Sequence, residues 1–500
     1  MSWVEEFDLH PWGWENDPEV EERRLSTFDY LSSMSYTNTA LFFKVEDSKK
    51  AEAVSVLKQG VARAISQVRQ YVGTIEKGAD GHHSIVRRKG DTVKFVVNHL
   101  DFPGSTFPSL DEIGRAGFGS DILGDINAIS NQPMTFGMKP EAHPDNSPAI
   151  SSYRVNLIPG GFIFNQQTHH YANGVQGFAG FMEQLAENCY AIAHGTEFPS
   201  FDPRCLDRSL FTSLGFEKAD DTSSEPPQAP SKAQLHAPPA PYDGRPQNMA
   251  LQSLLFHLPK SKAARLKAVV SPGDGTWIST YNAVCALIWR VFSRIREPVY
   301  KPGLSYKPIF GTGVSITKKF TDPPMPPRMQ GNLQFDITSA TAALPQLTVG
   351  EIVKDAPLSQ LASYTRQLTE GVTMDMLAAR LQKVAHMRNK QELSIEVAAF
   401  PLMALYITDW RGCALCEHDY GFGRAVGYRH LFGMVPPGHC IVYPPRRGPR
   451  GDDEGMELQV TFEEELVPQL LGDPEWSEYF EFRGVDLWEE GSARRHRAKL

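Results

Sequence analysis

Residues 160–189 read GGFIFNQQTHHYANGVQGFAGFMEQLAENC, and the rest of the chain is best read outward from them. Gly161 to Phe164 with its continuation predicts a strand that runs into His169-His170. A short glycine-containing turn follows. Phe178, Met182, Leu185, Cys189 and Ile192 then fall at three- and four-residue steps, which predicts an amphipathic helix over 175–193. A histidine at a strand end beside a tight turn can be held in one tautomer by backbone contacts and aimed into a cleft. A neutral imidazole in that position suits the task of making a hydroxyl nucleophilic. Taken alone, a His-His pair is more often structural, so the surrounding chain has to decide.

The chain has 500 residues, 41% hydrophobic and 22% charged, which suits a globular protein of two domains rather than one core. Its net charge of −9 argues against a nucleic-acid partner, which would need a basic face. No stretch approaches eighteen uninterrupted apolar residues, and the polar start MSWVEEFDLHPWGWEND does not read as a signal peptide, so no membrane partner is expected. Six cysteines are sparse for this length and fit a reduced compartment. Cys413 and Cys416 form a lone C-x-x-C in a strand-and-turn context, where that spacing turns the side chains apart. The histidines lack ligand spacing with carboxylates or thiols, so no metal is expected. Ala498-Lys499-Leu500, preceded by three arginines, resembles the small-basic-Leu peroxisomal address; the cytoplasm is the alternative location.

Glu217 to Gln247 is rich in Pro, Ala and Ser and poor in large apolar residues, so it reads as a crossover linker at 217–247. It divides the chain into an N-terminal domain over 1–216 and a C-terminal domain over 248–500. Both halves mix patterns. Helices are predicted over 51–72 and 279–294, the second opened by a Ser/Thr cap, and strands over 92–97, 398–408 and 440–443. The fold class is α/β, with mixed sheets flanked by helices.

Four further stretches stand in order around the histidines: LSTFDYLSS at 25–33, AVCALIWRVFSRIR at 283–296, Gly331-Asn332 after DPPMPPRMQ, and DYGFG at 419–423 after ITDWRG. Together with the histidine segment they resemble the BAHD acyltransferases and, more closely, the fungal trichothecene 3-O-acetyltransferase-like enzymes of the chloramphenicol acetyltransferase-like superfamily. The resemblance spans residues 25 to 443. It implies two similar-sized domains with an active-site channel at their interface, acyl-CoA entering from one side and an alcohol from the other. In the family's HxxxD motif the catalytic histidine is followed four residues later by Asp and commonly three further on by Gly. Counting from His170 gives Gly174 and Gly177; counting from His169 gives Asn173 and no Gly in place. The resemblance therefore implies His170 as general base, with His169 the alternative, and DYGFG as structural support. The implied activity is O-acylation, acetylation by expectation, of a hydroxyl on a specialised metabolite in a fungal pathway. A monomer is expected, with acyl-CoA as co-substrate and a small alcohol as acceptor. Lys318, Lys319 and Arg328 stand in the region the family uses near CoA, although a basic loop is equally a solvated face.

One departure is plain. Gly174 stands where the family has Asp, a residue that there faces away from substrate, pairs with an arginine and holds the histidine loop. Arg290 on the ALIWR helix is the candidate for the arginine left without that partner. Three outcomes are open: Asn173 or a water takes over the orienting role, the protein is a slow or inactive relative acting as a binding protein, or His170 serves a cyclisation or condensation instead.

Overall fold

The strand expected before the histidines is one arm of a hairpin. Ser151–Ile158 and Gly161–His169 pair antiparallel from Ser151↔Thr168 to Ile158↔Gly161, joined by Pro159-Gly160. Proline presets the first turn position and Gly160, at φ +82°, supplies the left-handed second one. A Cβ at Gly161 would lie 2.1 Å from the carbonyl oxygen of Phe43, so the neighbouring strand can approach because no side chain is there. The hairpin belongs to a six-stranded sheet in the order Trp3–Leu9, Val93–His99, Ser151–Ile158, Gly161–His169, Tyr36–Lys44, Ala425–His430. Val93–His99 and Ser151–Ile158 run parallel, which makes the sheet mixed.

The computed structural model describes residues 3–132, 134, 140–209, 249–273, 276–384, 387, 389–393 and 403–489. The expected linker at 217–247 and the terminal tripeptide at 498–500 lie outside the described residues. Two helices, Lys50–Gln67 and Val175–His194, cover one face of the six-stranded sheet. They pack at close range because Gly60 faces Cys189: a Cβ at position 60 would meet the cysteine Sγ at 2.2 Å. The helix expected to reach residue 72 ends at Gln67. Val68 leaves the helical region at φ −95°, ψ 70°, and a 3-10 turn over Arg69–Val72 sends Tyr71 into the core, stacked 3.9 Å from the Phe181 ring.

A seven-stranded sheet forms the second half, in the order Gln334–Thr338, Phe310–Ser315, Leu405–Asp409, His439–Tyr443, Met456–Glu463, Leu251–Leu258, Glu481–Trp488. Its central helix, Thr280–Tyr300, starts at the expected cap, where Ser279 and Asn282 form a capping box. Of the strand expected over 398–408, Leu405–Asp409 is described, and residues 398–402 lie outside. A small third sheet joins Val20–Arg24, His83–Arg88 and Thr74–Lys77. The two halves interlock. Ala425–His430, from the C-terminal half, pairs antiparallel with Tyr36–Lys44 and forms the edge of the first sheet.

Candidate active site

The two adjacent histidines have opposite fates, because successive strand residues point to opposite faces. His169 ends the strand fully buried. Its Nε2–H donates to the Ala142 carbonyl at 2.8 Å, and its Nδ1 accepts from the Tyr171 N–H at 3.1 Å. With both nitrogens used, its pKa is pushed down to about 4 by burial. His170 turns the other way. Its backbone N–H donates to Ser35 O at 2.9 Å, while its ring lines a cavity of about 90 Å³ and its Nδ1 has no hydrogen-bond partner among the described residues.

That cavity lies between the two large sheets. Ser32 and Thr37 contribute from the first half, Gln334, Thr408 and His439 from the second, and His430 from the strand that crosses between them. Burial lowers the pKa of His170 below the ordinary 6.5, against weaker upward pulls from Asn332 and Asp29. Burial also takes His430 to about 3, helped by His439, His170 and Arg429, and takes His439 to about 4. All three imidazoles are therefore neutral at pH 7. The His430 ring is fixed by two tyrosine hydroxyls, Tyr443 at 3.0 Å from Nδ1 and Tyr428 at 3.4 Å from Nε2. A neutral imidazole lining a small cavity between the two sheets can take a proton from a bound hydroxyl without first having to lose one.

The turn after His170 is held from outside itself. Asp29, completely buried, accepts from the Asn332 backbone N–H at 3.2 Å and from its Nδ2 at 3.1 Å. The same Nδ2 donates to the His170 carbonyl at 2.8 Å. Arg208 pairs with the Asp29 carboxylate and also donates to the Ala172 carbonyl at 3.0 Å. Gly174 is the residue before the helix Val175–His194, and a Cβ there would stand 3.1 Å from Asn332 Oδ1. Asn173 does not reach toward His170. Its Nδ2 donates to Tyr71 Oη and Gln330 Oε1, both at 2.8 Å, and its Oδ1 accepts from the Gly331 N–H at 2.5 Å. Asp29 and Asn332 lie inside segments that the sequence marks, yet nothing in their local pattern points to the loop. Arg208 carried no signal at all.

Arg290, expected to be the arginine near the turn, is elsewhere. It donates to the Ala356 carbonyl and lies 3.8 Å from Glu475. The arginine at the turn is Arg208. Lys318 and Lys319 occupy a short 3-10 turn over Thr317–Lys319, Lys318 exposed and Lys319 half-buried. Arg328 is already matched: it contacts Glu183 at 3.0 Å and Glu187 at 2.7 Å on the Val175–His194 helix. In the DYGFG segment, Tyr420 is buried 5.1 Å from the Phe43 ring, and Gly421 sits at φ +82° where a Cβ would meet Ala193 Cβ at 2.4 Å. The segment braces the end of the Val175–His194 helix against the sheet. Cys413 and Cys416 are buried with their thiols pushed up, Cys416 to about 12, by burial. Among the described residues, no group of three or more His, Cys, Asp or Glu side chains is placed to hold a metal. Nor is any helix among them long and apolar enough to cross a membrane.

Residues 35–189, which include this whole histidine segment, match the trichothecene 3-O-acetyltransferase-like N-terminal domain. Over 482 residues the chain is 45% identical to the acetyltransferase FGR3 of Gibberella zeae, covering 96% of this chain and 94% of that one. The chain belongs to the trichothecene 3-O-acetyltransferase-like acyltransferases. A more distant relative of this acyltransferase is the trichothecene 3-O-acetyltransferase TRI101 of Fusarium sporotrichioides, 23% identical over 90% of this chain and 94% of that one. The fold agrees with the crystal structure of F. graminearum TRI101 complexed with coenzyme A and T-2 mycotoxin. There the TM-score is 0.75 at 19% identity, covering 93% of this chain and 100% of that one. The two-domain acyltransferase architecture expected from the sequence motifs is the one observed.

Proposed function

We propose that this acyltransferase moves an acyl group, acetyl by preference, from a CoA thioester to a hydroxyl of a small specialised metabolite, with His170 as general base. The observation that carries the reading is the His170 ring itself: neutral, unpartnered at Nδ1 and directed into the cavity between the sheets. In the step, the acceptor oxygen bonds to the thioester carbonyl carbon as its proton passes to His170. The carbon–sulfur bond then breaks, and the proton goes on to the departing thiolate, leaving ester and free CoA. The coenzyme A in the TRI101 crystal structure supports the donor class. Lys318 and Lys319, which carry no ion pair among the described contacts, are the cations proposed to meet its phosphates. Arg328 would first have to leave Glu183 and Glu187.

The test is thiol release from acetyl-CoA by the purified protein across a panel of small alcohols. Release should depend on the acceptor, and His170→Ala should reduce it by about 10²–10⁴-fold, the span a positioned base contributes. A His170→Ala protein as fast as the wild type would overturn the assignment of the base. The terminal Ala498-Lys499-Leu500 is proposed to direct the protein to peroxisomes. A fluorescent fusion that preserves the free carboxyl end should be punctate, and one lacking the tripeptide diffuse.

A further inference from the structure

An isolated buried carboxylate is costly, so each one has to be accounted for by what it holds. Asp29 is completely buried, 0% exposed, and every contact of its carboxylate bears on the His170 turn or on the short helix that carries it. One oxygen accepts from the Ser26 N–H and Oγ, both at 2.8 Å, and from Arg208. The other accepts from both nitrogens of Asn332. Through Asn332 the carboxylate reaches the carbonyl of His170, and through Arg208 it reaches the carbonyl of Ala172. The two arms grip the chain on either side of Tyr171. A third, weaker contact comes from just beyond that helix: Ser32 Oγ donates to Asp29 O at 2.6 Å and lies 3.3 Å from His170 O.

We infer that Asp29 is the positioning residue for His170, acting through Asn332 and Arg208 in place of a carboxylate within the turn. This rests on the reading of His170 as the base. The missing side chain at Gly174 belongs to the same device. Asn332 Oδ1 stands 3.1 Å from where a Cβ of residue 174 would be, so the amide that carries one arm of the clamp fills the space a residue-174 side chain would need. In this chain the carboxylate stands on another segment and pairs with Arg208 there.

Capping alone would be a simpler role, since Ser26 and Asp29 form a capping box on Thr27–Tyr30. The two roles separate by experiment. Asp29→Asn keeps the shape and one acceptor for the cap but cannot serve Ser26, Arg208 and Asn332 together. Asn332→Ala leaves the cap and the Asp29–Arg208 pair intact and removes one arm. Both variants should be compared with wild type and His170→Ala in the acetyl-CoA assay, at a temperature where circular dichroism shows each folded. Both are expected to lower kcat by about 10- to 100-fold, as loss of an outer positioning contact does, with KM for acetyl-CoA within about twofold. A crystal structure of Asn332→Ala should show the 170–173 turn displaced. Wild-type kcat in Asn332→Ala, or an unmoved turn, overturns the inference even where Asp29→Asn fails to fold. If His170→Ala is itself fully active, the fault lies with the assigned base, and the turn geometry in the crystal still decides the clamp.

Discussion

Arg429 donates from Nη1 to Glu457 at 2.8 Å across the seam between the two large sheets. Arg429 sits on the crossing strand Ala425–His430 and Glu457 on the interior strand Met456–Glu463 of the other sheet. Arg446 completes the group, forking onto the same carboxylate at 2.8 and 3.0 Å, and Arg429 also donates to the Gly117 carbonyl. All three charges are buried. Burial alone would raise the pKa of Glu457, but the two guanidinium groups bring it down to about 2. Glu457→Ala would leave two buried cations without an anion, and a loss of about 3–5 kcal/mol in urea unfolding is expected. A transition midpoint equal to the wild type would show that the seam does not depend on this group.

His169 should behave as a structural residue. Its two ring nitrogens hold Ala142 and Tyr171. His169→Ala is expected to lower stability by about 1–3 kcal/mol through the unpaired buried groups it leaves. The folded variant should retain measurable acceptor-dependent thiol release. Loss of activity equal to that of His170→Ala, in a protein of undiminished stability, would reverse the roles of the pair.

Restoring the family's carboxylate should harm this protein. The Cβ of Gly174→Asp would already press on Asn332 Oδ1 at 3.1 Å, and the carboxyl beyond it would enter space held by the Asn332 side chain. Gly174→Asp is expected to reduce kcat by about tenfold or more and to lower the melting temperature. An increase in kcat would mean that the turn has room for the group and lacks it.

Stability should fall with acid in two stages. His169, His430 and His439 are buried neutral with pKa values of about 4, 3 and 4, below the ordinary 6.5. Between those values the unfolded chain binds more protons, so stability is full above pH 6.5 and declines as pH drops toward 4. Glu457, lowered from 4.5 to about 2, continues the loss between those values. Each tenfold difference in proton affinity between the folded and unfolded chain is worth about 1.4 kcal/mol, so the combined effect is on the order of several kcal/mol. Urea midpoints at pH 7.5, 6, 5 and 4 check it, and a flat series would refute it. His170 is also lowered, so the acid limb of kcat should lie below pH 6.5.

Much of this was legible because it is local. The alternation that ends at His169 and the apolar spacing of Phe178, Met182, Leu185 and Cys189 placed a strand, a turn and a helix where they are found. The resemblance to the HxxxD motif, with Gly177 in register, is what singled out His170 over His169. What fixes the turn is not local. Asp29 lies 303 residues from Asn332, and Asn332 lies 162 from His170. No periodicity encodes such contacts. Arg290 drew attention because it sits in a motif, whereas Arg208 follows an unpatterned stretch before the Pro-rich segment. A basic residue near a motif shows charge but not whether the charge is spent, as the glutamates around Arg328 make plain.

The strand Ala425–His430 also sets an order for making the protein. While the chain leaves the ribosome, the strand Tyr36–Lys44 can pair with Gly161–His169, but its other edge has no neighbour until residue 430 is synthesised. Such an edge, Leu41-Phe42-Phe43 among it, invites association with other nascent chains. The first half therefore cannot finish folding as an independent unit on the ribosome. Expression of residues 1–216 alone should give insoluble material, and soluble yield of the whole protein should rise with chaperone supply.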